Sequence, residues 1–179
     1  MRLRFFGIAL GLLFFVPAVA SADAHRWGFG GGGSGASGSK RYGFYTSGEV
    51  VVADFIAHES VYKYVTLIGD FAMTGGSHEG VDITRKTGGV GPGLRFSKNA
   101  TSPHVGGTHA IFGKATSADG QDTRFATAIG GLYEFVPHRD EVGWETAFRV
   151  QYDYVISKGD GNSFHRFSFG GVIRFKKQH

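Results

Sequence analysis

The most constraining feature of this sequence is a two-residue alternation of apolar and charged side chains near its carboxyl end. Between residues 141 and 175, one row is apolar or aromatic and the other carries Glu, Arg, Gln and Asp. Because successive strand residues point to opposite sides of a sheet, this pattern predicts strands with one apolar and one charged face. Residues 157–162 are rich in Gly, Asp and Asn and predict a turn. The segment is a predicted β-hairpin whose apolar face contacts either a protein core or lipid.

The alternation continues through most of the chain. Residues 25–39 contain Trp27 and a glycine-rich tract, which indicate either a short first strand followed by a flexible loop or a disordered terminus. The total is eight strands in the first case and seven in the second.

Pro92 has no N–H to donate, so a bulge or local break is expected there. No segment has a helical period, so the fold class is all-β. The other expected strands cover residues 45–57, 61–74, 84–97, 103–116 and 125–135.

The amino terminus predicts export. Arg2 and Arg4 precede an apolar run over residues 5–16, and small residues follow. These are the parts of a secretory signal peptide. A retained membrane helix is the alternative, but it needs about 20 apolar residues, and this run is shorter. The expected cleavage site follows Ala20, Ala22 or Ala24. We interpret residues 1–24 as signal peptide and 25–179 as one barrel domain, with 30–40 a Gly/Ser-rich loop or flexible segment.

Composition excludes several classes of function. The chain has 179 residues, enough for one domain. It has no cysteine, which excludes disulfides and thiolate metal sites. The formal charge of +4 is dispersed and accompanies no basic run, so we expect no nucleic-acid partner. The 30 glycines and 17 phenylalanines favour β structure.

The predicted polar rows are unusual because they combine acids with arginines and contain no lysine. Gly, Ala and Ser separate these charged residues. Arginine pairs bidentately with carboxylates and suits an enclosed ion pair. This composition favours a polar interior with lipid outside. The expected ion-pair network of the lumen, a structural feature, consists of Asp70, Arg95, Arg124, Glu145, Arg149, Asp153, Arg166 and Arg174.

The apolar rows are large and aromatic, with Trp and Tyr near strand ends, as in the girdle of a membrane barrel. Connectors near residues 58–60, 99–102 and 137–140 are short, whereas those near 75–80, 117–121 and 157–162 are longer. Short periplasmic turns alternating with longer outer loops produce that pattern. The sequence thus predicts a closed up-and-down antiparallel transmembrane β-barrel of eight strands with a filled interior. The expected lipid-facing or girdle residues are Trp144, Tyr152, Tyr154, Tyr133, Phe135, Phe167, Phe169 and Phe175.

Four short segments carry a family resemblance. After the predicted signal peptide, the chain contains, in this order, residues 109–113 (HAIFG), 128–131 (AIGG), 150–154 (VQYDY) and 167–175 (FSFGGVIRF). Over about residues 45–175 the chain resembles the outer-membrane β-barrel domain proteins of Gram-negative bacteria, the OmpA/OmpX type. The resemblance implies a cell-envelope protein that lies in the outer membrane as a porin-like barrel. It also implies that the barrel-assembly machinery, with periplasmic chaperones, reads an aromatic near the end of the last strand, here Phe175.

Histidine and serine side chains invite an enzymatic interpretation. His104, His109, His165 and Ser168 lie in or beside strands, but no motif places a nucleophile, a base and an orienting acid together. We therefore expect no enzyme, and assign no catalytic residue, metal ligand or cofactor. The expected function is a structural or surface-interaction role for a monomeric barrel in outer-membrane lipid, with no open pore.

Three alternatives remain open at this stage. A secreted lipocalin-like binder would use the aromatic row as an internal pocket for a small apolar ligand. A barrel-embedded lipid-modifying enzyme would need a catalytic group on the barrel wall. A narrow channel would have a conductance that depends on Arg149 and Asp153.

Overall fold

The computed structural model describes residues 27–37, 41–57, 61–78, 80–99, 101–116, 122–139, 143–158 and 163–175. The predicted signal peptide lies outside them. The eight strands are β1 (Trp27–Ala36), β2 (Arg41–Ala57), β3 (Val61–His78), β4 (Val81–Ser97), β5 (His104–Thr116), β6 (Thr123–Arg139), β7 (Trp144–Ser157) and β8 (Phe164–Phe175).

The strands form one closed barrel in sequence order, each antiparallel to the next. β1 closes the sheet by pairing with β8 from Trp27 opposite Phe175 to Ala36 opposite Arg166. Closure leaves no unpaired sheet edge, which is the condition for a β-sheet in lipid. The predicted closed up-and-down barrel is therefore confirmed, and the segment around Trp27 supplies the eighth strand.

The barrel has two ends, to which we refer throughout. The turn end holds the start of β1, the end of β8 and the connections that follow β2, β4 and β6. The loop end holds the connections that follow β1, β3, β5 and β7.

The glycine-rich segments are strands where the sequence predicted loops. β1 continues to Ala36, so residues 30–36 of the expected flexible segment belong to the barrel wall. Likewise β3 reaches His78, and Gly80, with φ of 80°, turns the chain into β4. A Cβ on Gly32 would lie 2.1 Å from the Phe169 carbonyl oxygen. Glycine is required here because neighbouring strands approach closely, and not because the chain is flexible.

The prolines interrupt the sheet without ending strands. The ladder between β4 and β5 omits Gly91 and Pro92 but keeps the same register on both sides, which confirms the expected local break. Pro137 was expected to lie in a turn, yet β6 continues to Arg139 across an irregularity between Phe135 and His138. A bulge is the usual place for proline in a sheet because one ladder hydrogen bond is missing there.

The side chains divide between an aromatic exterior and a mixed interior. Exposed side chains include Phe29, Phe148 and Phe169, each exposed by at least 59%. The lumen contains charged groups and also two apolar clusters, one of them around Ile68 and Ile111. The lipocalin-like alternative is wrong because the aromatic row lies outside the barrel. No helix among the described residues is long and apolar enough to cross a membrane.

Candidate functional site

The lumen near the turn end contains a network of buried ion pairs. Each side chain reaches it from an inward-facing strand position, and no member is more than 4% exposed. Its three arginines and three glutamates give it no formal net charge. Burying charges is unfavourable unless each is paired and hydrogen-bonded, and these charges are paired. We name this group the turn-end cluster; it consists of Glu49, Arg95, Glu134, Glu145, Arg149 and Arg174.

Arg149 lies at the centre of the turn-end cluster. Its Nε donates to Glu134 Oε1 at 2.7 Å, and its Nη2 donates to Glu49 Oε2 at 2.5 Å. Its Nη1 donates to Ser47 Oγ at 3.2 Å. The Arg149 guanidinium thus links β2, β6 and β7 across the lumen, and these contacts fix its position.

Arg174 and Arg95 extend the same network. Arg174 donates from Nε to Glu49, from Nη2 to Glu134 at 2.5 Å and from Nη1 to Glu145 at 3.3 Å. Arg95 donates from Nη2 to Glu49 at 3.2 Å. Glu49 therefore accepts hydrogen bonds from three arginines, two of them through one oxygen, Oε2.

A second group, the mid-barrel cluster, lies nearer the loop end and consists of Asp70, His109, Gln151, Asp153 and Arg166. Arg166 donates from Nε and Nη2 to Asp153 Oδ2 at 2.9 and 2.7 Å, and from Nη1 to Asp70 Oδ1 at 2.5 Å. Asp153 Oδ1 lies 2.5 Å from His109 Nε2, and Gln151 donates to Asp153 Oδ2 at 3.1 Å. Both carboxylates thus bind Arg166.

Little free volume remains beside the mid-barrel cluster. The cavity lined in part by Asp70, Thr87, Ile111 and Arg166 has a volume of about 20 Å³. That volume holds about one water molecule.

The structure places the predicted network residues in three locations. Arg95, Glu145, Arg149 and Arg174 belong to the turn-end cluster, and Asp70, Asp153 and Arg166 belong to the mid-barrel cluster. Arg124 differs because its side chain is 33% exposed at the start of β6, where it donates to Asp122 at 2.9 Å. Arg124 lies near the loop end, where the barrel opens, and the prediction of a place in the enclosed network is wrong.

Sequence reasoning missed Glu49 as a lumen residue. Its inward position follows from the alternation Ser47, Glu49 and Val51 in β2. The sheet register then shifts between Val51 and Ala53. A two-residue period read across such an irregularity does not follow one face of the sheet, so the pattern of β2 did not single out Glu49.

The outer wall carries aromatic and histidine contacts near both ends. At the turn end, Trp27 stacks on Phe175 with ring centroids 4.6 Å apart, and His104 Nδ1 lies 2.6 Å from Tyr133 Oη. Near the loop end, Tyr152 Oη lies 2.6 Å from His165 Nδ1. All eight residues predicted for the lipid-facing surface and girdle point outward, with exposures from 36% for Phe175 to 59% for Phe169.

Ser168 and His109 both lie inside the barrel and have different hydrogen-bond partners. The Ser168 hydroxyl lies 3.0 Å from that of Ser34, inside the barrel, where it closes β1 against β8. His109 is held by Asp153 but has no serine beside it among its recorded partners. In the described part of the chain, no group of three or more His, Cys, Asp or Glu residues could hold a metal ion.

Comparison with known proteins gives a likeness to solved structures only. No family model matches the chain, and no curated protein matches it. Among solved structures, the chain is similar to Ail, the attachment invasion locus protein of Yersinia pestis, solved in complex with the heparin analogue sucrose octasulfate. The two are 19% identical, the match covers 84% of this chain and 99% of that one, and the TM-score is 0.45.

The strand pairing of the chain itself decides the fold. Eight antiparallel strands close in sequence order, with aromatic side chains on the exterior and buried charged side chains in the interior. The fold is a closed, eight-stranded antiparallel β-barrel with up-and-down topology.

Proposed function

We propose that this protein resides in the bacterial outer membrane as a monomeric barrel with a plugged lumen and has a structural or surface-interaction role. The main observation behind the proposal is the distribution of side chains, which is the reverse of that in a soluble protein. Ion pairs lie inside the barrel and aromatic side chains lie outside it. In water, the exposed aromatic wall would be an unusually large apolar surface and would cause association. In a membrane, the apolar lipid tails cover the same surface.

The lumen supports a plug in place of a pore. The turn-end cluster joins side chains from five strands, β2, β4, β6, β7 and β8, across the interior. The mid-barrel cluster adds contacts from β3 and β5 through Asp70 and His109. An ion crossing the barrel would have to displace these hydrogen-bonded pairs, which is expensive in a low-dielectric interior.

The proposed partners follow from the location. Outer-membrane lipid contacts the aromatic wall, and the signal peptide directs export before the barrel-assembly machinery and periplasmic chaperones insert the chain. We propose no enzymatic activity, cofactor or nucleic-acid partner. With the signal peptide removed in the periplasm, both barrel termini lie at the turn end, so the loop end faces the outside of the cell.

Fractionation of the cell envelope tests residence in the membrane. We expect the processed chain in the outer-membrane fraction, retained after washing with alkaline carbonate and released by detergent. Recovery of a soluble monomer from the periplasm without detergent would contradict the proposal.

Planar-bilayer recording tests the plug separately. We expect the wild-type barrel to give no conductance steps, and Arg149→Ser to open a water path because it removes the central guanidinium. Arg124→Ser is the matched control, since it removes the same charge outside the network. Steady wild-type conductance that changes on substitution of Arg149 or Asp153 would support the narrow channel instead.

A further inference from the structure

Two arginine side chains lie inside the barrel at its loop end, apart from both clusters. Arg41 on β2 and Arg85 on β4 are 3% and 5% exposed. They flank β3, where Arg85 is opposite Thr74 and the residue after Arg41 is opposite Gly75. We refer to them as the mouth pair.

Arg85 is held by an aromatic ring instead of a carboxylate. Its guanidinium carbon lies 4.0 Å from the centroid of the Phe164 ring, which reaches it from β8 on the opposite side of the barrel. Its Nε is buried and has no hydrogen-bond partner. Among the described residues, no carboxylate lies within ion-pairing distance of Arg85.

The other buried arginines show that this arrangement is exceptional. Arg95, Arg149, Arg166 and Arg174 each donate to at least one carboxylate. In the mid-barrel cluster, the carboxylates of Asp70 and Asp153 both bind Arg166. Arg85 therefore carries a positive charge that no carboxylate of the described residues neutralises, and a buried cation without a counter-charge is unfavourable.

The geometry suits an incoming oxyanion. The ring of Phe164 lies against the planar guanidinium of Arg85 and limits its movement. The N–H groups lie at the edge of that plane, and such an edge binds the oxygens of phosphate, sulfate or carboxylate groups. A tetrahedral oxyanion also has enough oxygens to contact a second guanidinium, and Arg41 provides one.

We propose that the loop-end mouth of the barrel is a binding site for a phosphate or sulfate ester, with Arg85 as its principal ligand, Arg41 as a second cation and Phe164 as the positioning residue. The site deepens the proposed surface-interaction role and rests on it, because the loop end must face outward for a ligand to enter. The ester belongs either to a soluble polyanion or to a phosphorylated glycolipid of the same membrane.

Titration of the intact refolded barrel tests the site for soluble ligands. The protein is placed in phosphatidylcholine nanodiscs at low salt and titrated with tripolyphosphate, with binding followed by calorimetry and by the NMR resonance of Arg85 Nε–Hε. We expect a shift of that resonance and at least a tenfold loss of affinity in Arg85→Gln. Arg124→Gln, at the same end with the same charge change, should stay within about twofold of wild type.

A second titration identifies the source of the ester. Nanodiscs that contain diphosphorylated lipid A are compared with nanodiscs that contain its dephosphorylated form. A shift of the Arg85 resonance with the phosphorylated lipid alone assigns the ligand to the glycolipid, and a shift with tripolyphosphate alone assigns it to a soluble polyanion. Phe164→Leu retains the charge and should weaken binding in whichever assay responds.

Two results would overturn the site. One is an equal loss of affinity in Arg85→Gln and Arg124→Gln, which would show diffuse attraction between charges. The other is an Arg85 resonance that responds to neither ligand. Each variant is first checked for the heat-dependent gel migration of a folded barrel.

Fractionation and conductance do not depend on this titration. A negative titration would therefore contradict the binding site without contradicting the proposed function.

Discussion

At the scale of single residues, Glu49 shows how the lumen pairs its charges. It accepts from Arg95, Arg149 and Arg174, and its position inside the barrel is 4% exposed. Removing one member of a buried ion pair leaves the partner charge without compensation, which costs more than the pair itself contributes.

Glu49→Gln should therefore lower the free energy of unfolding by about 3 kcal/mol or more. Urea unfolding of the barrel in lipid vesicles, followed by tryptophan fluorescence, measures the change. Asp122→Asn is the matched control because Asp122 pairs with Arg124 on the surface, where the loss is at most about 1 kcal/mol. Equal losses in the two variants would mean that the lumen pairs are no stronger than surface pairs.

Glycine has a steric role at one position of the lumen wall. A Cβ on Gly130 would lie 2.2 Å from the Tyr152 carbonyl oxygen and 2.4 Å from Asp153 Oδ1. Gly171, on the outer wall, has no atom within 4 Å of such a Cβ. The two positions therefore test packing inside and outside the barrel with the same substitution.

Gly130→Ala should destabilise the barrel by about 1–3 kcal/mol because the added methyl group overpacks the site of the His109–Asp153 pair. Gly171→Ala should change stability by no more than about 0.5 kcal/mol. The same urea unfolding measures both. A neutral effect of Gly130→Ala would contradict the close approach of β6 and β7.

At the scale of elements, β7 shows how well alternation alone predicts the face of a residue. Trp144 and Tyr152 point outward and Arg149 and Asp153 point inward, as the sequence pattern indicated. No bulge interrupts β7 against β8, so the two-residue period applies from end to end. In β2, by contrast, the irregularity after Val51 breaks the period, and Glu49 was missed.

The outer face of β7 should tolerate charge only near its ends. Val150→Arg, at the middle of the strand, should cost about 2–4 kcal/mol, because the charge would lie near the centre of the bilayer. Ile156→Arg, near the loop end, should cost at most about 1 kcal/mol. Unfolding in vesicles compares the two variants. Similar costs at both depths would show that this face does not contact the hydrocarbon of a membrane.

At the scale of the whole molecule, closure connects the residues into one cooperative unit. The β1–β8 ladder joins the first and last strands, and Trp27 stacks on Phe175 at the seam. The other seven ladders join strands that are consecutive in sequence, so the β1–β8 ladder is the long-range pairing that closes the sheet. Such a barrel resists detergent at moderate temperature because local fraying has no free edge from which to begin.

The folded chain should therefore migrate differently before and after boiling on a detergent gel. Deleting residues 25–36, which removes β1, should abolish the unboiled form, because β8 then has no partner. Deleting residues 176–179, beyond β8, should leave it intact. Retention of the unboiled band without β1 would contradict closure by this strand.

The sequence alone determined the fold class, the eight-strand count as one of two options, and the faces of β3, β4, β7 and β8, because two-residue alternation is a local property of a strand. It did not determine that residues 30–36 are strand, because a glycine run has no side chains to alternate and its role depends on how closely Phe169 and its neighbours approach.

Tertiary structure decided which charges meet. Arg124 and Arg149 are alike in sequence, yet one lies at the exposed loop end and the other is buried among Glu49 and Glu134. Arg85 received no role from the sequence, since nothing local distinguishes it from a surface arginine. Its burial beside Phe164 follows from a contact across the lumen between strands that are far apart in the chain, and only barrel closure brings those strands face to face.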